Sequence, residues 1–129
     1  MLKTTFRWCL YVAAAALAVS AIFQLTRYVT ASIAVANSGL RPELAQSFRA
    51  LWLASALQSL LLAVIVALAG ARPRWFSRPA VVLCGLLPIV SAALFFTLVG
   101  SGAGQILSGA AAVAIALAAL LWPKNVETT

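Results

Sequence analysis

Residues 22–39 read IFQLTRYVTASIAVANSG, and the fold turns on whether this stretch continues the apolar run before it or opens a loop. Upstream, Trp8 to Phe23 is almost unbroken hydrophobic sequence. Beyond Gln24 the apolar positions do not stop, because Leu25, Val29, Ile33 and Ala36 follow at helical spacing. Asn37-Ser38-Gly39 is the first stop signal, with Gly39 suited to the left-handed conformation that ends helices. Pro42 then fits a first helical position, Glu43 lies in the first turn where the helix dipole favours an acid, and no breaker follows before Gly70. Two helices of roughly 28 to 30 residues are expected around this turn, each about ten residues longer than a bilayer crossing requires.

Composition says why a bilayer is the right ruler. Of 129 residues, 64% are hydrophobic and 9% charged, with a mean hydropathy of +1.07. A soluble domain carries about 25% charged residues, so this chain lacks the polar surface to coat itself in water. Four apolar runs can be marked, at about 8–27, 50–71, 79–99 and 103–122, each near the ~20 residues that cross a hydrocarbon layer ~30 Å thick. None alternates with a period of two, which excludes the strands of a membrane barrel. The expected fold is all-α: a single polytopic domain over residues 1–129, a four-transmembrane-helix antiparallel bundle whose first two helices extend together on the outer side.

The charges give that bundle an orientation. Lys3, Arg7, Arg72, Arg74, Arg78 and Lys124 fall on one side of the four runs, and Arg27, Arg41 and Arg49 on the other. Lys and Arg accumulate on the cytoplasmic side, so both termini are expected there, in a cell membrane. The Ala, Leu and Arg content is compatible with a bacterial inner membrane. Trp8, Trp75 and Trp122 mark the inner edge and Trp52 the outer one, where amphipathic rings favour the head-group zone. The same cations exclude nucleic acid as a partner, since they cap apolar runs and form no continuous basic face with stacking aromatics. Residues 1–21 also resemble a signal sequence, with Val19-Ser20-Ala21 as cleavage site, yet apolar character resumes directly after it, which favours an uncleaved first helix.

Two sets of residues stand out as candidate sites. With the first span beginning near Trp8, Arg27 falls about one turn beyond the hydrocarbon edge, and Arg49 is its counterpart on the second helix. A cation at the bilayer centre costs at least ~2.5 kcal/mol, so both are read as interfacial. Gln24, Arg27, Gln46 and Arg49 are expected to form a polar outer mouth if the two helices face each other there. On the fourth run Gly104, Ser108, Ala112 and Ala116 recur every four residues, a smooth ridge for close helix packing. The flexible GSGAG before it predicts a tight hairpin with the third helix, in which Pro88 predicts a kink.

The chemistry available is sparse. There is no His, and the carboxylates are Glu43 and Glu127, so no catalytic residue, no metal site and no cofactor is implied. Cys9 and Cys84 lack the C-x-x-C pairing of membrane thiol oxidases and read as free thiols that pack as small apolar groups. The chain is similar to the small multidrug transporters and to the small fluoride channels in length and span count alone. The acid that the transporters carry in their first helix is missing from WCLYVAAAALAVSAIF, and the Gly- and Asn-bearing pore motifs of the channels have no counterpart. The expected function is that of a non-catalytic integral membrane protein acting by helix packing, lipid contact or as an accessory subunit. Its partners would be membrane lipid and either further copies of itself or a larger membrane complex. The alternative is a small oligomeric transporter or channel for an anionic or amphipathic solute, with Ser55, Gln58 and Ser59 lining its path.

Overall fold

The computed structural model describes residues 2–98 and 103–122, with side chains left undescribed at 2, 95, 96, 98, 103–105 and 108. It is all-α, and no strand occurs among the described residues. Four helices follow in order: α1 Leu2–Ala36, α2 Pro42–Ala71, α3 Arg78–Leu98 and α4 Ala103–Leu120, with a short 3-10 turn at Pro73–Trp75. The expected stops hold. α1 ends before Asn37, Gly39 takes a φ of +71°, and α2 opens on Pro42 with Glu43 in its first turn. α3 passes through Pro88 without a break in its helical assignment.

α1 and α2 are each long and apolar enough to cross a membrane. α3 and α4 are also apolar but shorter, at 21 and 18 residues against 35 and 30. The four do not form a closed square. α1 lies between α2 and α4, α4 lies between α1 and α3, and α2 and α3 touch only lightly. The core sits where three or more helices meet: Phe6, Leu10 and Leu17 of α1, Val66 of α2, Val81 of α3 and Ile115 of α4 are all essentially sealed.

One end of the bundle is fixed by specific contacts. The Phe6 ring meets the Trp122 ring edge-on at 4.9 Å, and the Arg78 Nε donates to the Ala119 carbonyl at 3.0 Å. That second bond gives a cation to one of the last carbonyls of α4, where the helix dipole is negative. The start of α1, the 3-10 turn, the start of α3 and the end of α4 therefore share a level. From that level α1 runs about 52 Å and α2 about 45 Å, whereas α3 reaches about 31 Å. The α1–α2 pair consequently overhangs α3 and α4 as a two-helix arm, and no residue of the arm from Ile22 to Leu51 is fully buried.

The seam inside the pair is regular. On α1 the residues turned inward are Leu10, Ala14, Leu17, Ala21, Gln24, Tyr28, Ala31 and Val35; on α2 they are Ala45, Arg49, Trp52, Ala56, Ser59, Ala63, Val66 and Gly70. Both series alternate steps of four and three, the heptad spacing that keeps two helices in contact over many turns. Gly70 permits the closest approach: a Cβ there would stand 3.2 Å from Tyr11 Cε1 and 3.4 Å from Leu10 Cβ.

Candidate functional site

The outer half of the seam holds the first candidate site. Trp52 Nε1 donates to the Gln24 carbonyl at 2.8 Å, and an Arg49 terminal nitrogen reaches the Ser32 carbonyl at 3.4 Å. Beyond these bonds a shallow concavity of about 380 Å³ is lined by Tyr28, Val29, Ser32, Ile33, Ala36 and Arg49. Two polar atoms sealed in it, Ser32 Oγ and Arg49 Nε, have no hydrogen-bond partner. Such orphans are costly in a dry interior and inexpensive where water enters.

The four residues expected to meet at this mouth divide between two positions. Gln24 and Arg49 lie at the seam, Gln24 through its backbone carbonyl and Arg49 through its side chain. Arg27 and Gln46 are exposed, and the Arg27 guanidinium lies over the Phe23 ring of its own helix at 5.9 Å. The reason is angular. Arg27 stands one residue, or about 100°, from the seam position Tyr28, and Gln46 stands one residue from the seam position Ala45. The two cations avoid each other by this splay, one on the outer surface of α1 and the other in the groove. Tyr28 and Ser32, which the sequence reading did not single out, complete the groove; the heptad register identifies Tyr28, and Ser32 flanks the seam position Ala31.

On α4 the inward stripe is Ala111, Ala112, Ile115, Ala118 and Ala119, and Trp122 just past its end continues it. Ala112 belongs to it, whereas Ala116 is exposed; Gly104 and Ser108 lie outside the residues whose side chains are described. A strict spacing of four drifts about 40° around the helix at each step, so it leaves a packing face that alternating threes and fours retain. The glycine that does admit a neighbour is Gly85 on α3, where a Cβ would come within 3.0 Å of Ile115 Cγ2. Much of the GSGAG connection falls outside the described residues. Cys9 and Cys84 are both free and half-buried.

Ser55, Gln58 and Ser59 do not share a path. Ser59 Oγ donates to the Ser55 carbonyl of the preceding turn at 3.1 Å, while Gln58 is exposed on the face of α2 opposite the seam. A second concavity, about 400 Å³, lies at the other end of the molecule and is lined by Arg7, Ala71, Arg72, Pro73, Arg74 and Trp75.

No family model, no curated protein and no solved structure matches this chain.

Proposed function

We propose that this chain is a multi-pass membrane protein without catalysis of its own, which works by packing its helices against lipid and against another membrane helix. The observation that carries the reading is a stripe on α2. Leu51, Ala54, Gln58, Leu61, Ile65 and Leu68 are all exposed, repeat at heptad spacing and lie opposite the seam with α1. Gln58 is thirteen residues from Ala71, about 20 Å along the helix and within the thickness of a hydrocarbon layer. A carboxamide there has nothing to bond in lipid, and a facing helix supplies a partner worth about 1–2 kcal/mol. The simplest such helix is α2 of a second copy, where the two Gln58 side chains can bond each other. The transporter alternative draws less support, since the two concavities lie at opposite ends and the serines of α2 bond within their own helix.

The test is self-association of the purified chain in liposomes. Energy transfer between donor- and acceptor-labelled copies should depend on protein-to-lipid ratio and exceed random proximity. Gln58→Leu should weaken the association roughly tenfold, the loss of one inter-helix amide pair. Transfer at the random level for the unaltered chain would contradict the reading.

A further inference from the structure

At the end of the bundle that holds Arg7, Arg72 and Arg74 these three arginines line one concavity, and no carboxylate among the described residues answers them. Arg7 lies in the second turn of α1, Arg72 caps the end of α2, and Arg74 sits in the 3-10 turn that follows. Close packing at Gly70 against Leu10 and Tyr11 brings these elements level, so that the first turns of α1 face residues 72–74. Glu43 is the one carboxylate among the described residues, and it stands in the first turn of α2, a whole helix of 30 residues away.

Ordinary explanations leave most of this charge unanswered. Cations are welcome past a helix C-terminus, but the end of α2 offers roughly half a negative charge against three positive ones. Arg78 shows what an engaged cation looks like here, with its Nε on the Ala119 carbonyl. Among the described residues the side chains of Arg7, Arg72 and Arg74 make no hydrogen bond to protein. Arg72 instead has its guanidinium carbon over the Trp75 ring, 4.5 Å from the centroid, a contact that uses the ring face and none of the guanidinium hydrogen-bond donors. Trp75 is itself 67% exposed, an indole of the kind that settles among lipid head groups.

We infer that Arg7, Arg72, Arg74 and Trp75 form a binding site for a phosphate group, carried by the head of an anionic membrane lipid. Guanidinium groups match phosphate oxygens in a bidentate geometry, and a phosphate answers the charge of the three arginines that the end of α2 alone cannot. The lipid source follows from position: the concavity opens at the level where the apolar helix surfaces end and the tryptophans begin, so acyl chains can lie along α1 and α2 while the phosphate sits among the arginines. The inference rests on the membrane reading above.

The experiment uses the full chain in a neutral detergent, with native mass spectrometry reading the binding of phosphatidylglycerol, phosphatidylcholine and inorganic pyrophosphate. Phosphatidylglycerol should bind in preference to phosphatidylcholine. Arg72→Gln combined with Arg74→Gln should weaken it roughly 25-fold, about fivefold for each cation removed. Arg41→Gln, which removes an exposed cation at the far end, should leave it unchanged. Equal loss in Arg41→Gln, or no loss in the double variant, would overturn the site. Pyrophosphate that binds alone, depends on Arg72 and Arg74, and displaces the lipid would overturn the lipid assignment in favour of a soluble phosphate. Flotation of the unaltered chain with liposomes of phosphatidylcholine alone separates the two levels: failure to float removes the membrane reading, whereas flotation without arginine-dependent selectivity removes only this site.

Discussion

At the scale of single residues, three glycines with different surroundings make opposite predictions for the same substitution. A Cβ at Gly85 would meet Ile115 Cγ2 at 3.0 Å, and Ile115 is completely buried, so it cannot give way. A Cβ at Gly109 would meet nothing within 4 Å among the described residues. Alanine in a helix interior is favoured over glycine by about 1 kcal/mol when nothing opposes it. Gly109→Ala should therefore raise the thermal stability of the detergent-solubilised protein, while Gly85→Ala should lower it by about 1–3 kcal/mol through overpacking. Gly39→Ala should also destabilise, because its φ of +71° lies where side chains strain the backbone. Thermal unfolding of the three variants checks all of this, and a gain of stability in Gly85→Ala would mean that α3 and α4 are not packed as described.

At the scale of elements, the α1–α2 seam changes chemistry along its length. Its inner half is built from Ala14, Leu17, Ala21, Ala56, Ala63, Val66 and Gly70, with Ser59 bonded within its own helix, and its outer half contains Gln24, Tyr28, Arg49 and Trp52. The change falls at the bond from Trp52 to Gln24, about 20 residues from the level of Arg7 and Arg72, which is the thickness of a hydrocarbon layer. On the membrane reading proposed above, small side chains let the helices close on each other inside the hydrocarbon layer, and the polar groups of the outer half lie beyond it. Trp52→Phe should cost about 1 kcal/mol, the net value of one hydrogen bond. Trp75→Phe, at an exposed ring, should leave thermal stability unchanged in the same assay.

The ends of these helices were legible in the sequence because Asn37-Ser38-Gly39 and Pro42 act through local backbone chemistry, which needs no knowledge of neighbours. The seam was not, because both faces of α1 and α2 are apolar and hydrophobic periodicity therefore says little about which face meets the partner. Gln24 and Arg49 were picked out by their polarity alone, and so were Arg27 and Gln46, which a 100° rotation carries away from the seam. Ala116 was included by a spacing of four where the packing follows threes and fours.

At the scale of the whole molecule, α1 and α2 overhang α3 and α4, and the proposal that four helices cross a membrane requires the arm from about residue 28 to residue 50 to stand in water on the side opposite Ser77. The measurement that tests this most directly is aqueous maleimide labelling of single cysteines at Phe23→Cys, Thr30→Cys, Ser38→Cys, Ser47→Cys, Ala54→Cys and Ser77→Cys, with Cys9 and Cys84 replaced by Ala, in sealed oriented membrane vesicles. Rapid labelling of the cysteines at 30, 38 and 47 from one side, protection at 23 and 54, and labelling at 77 only from the other side are expected. Protection at 30 and 47 would put the arm in lipid, and labelling of 38 and 77 from the same side would contradict the crossing of α2.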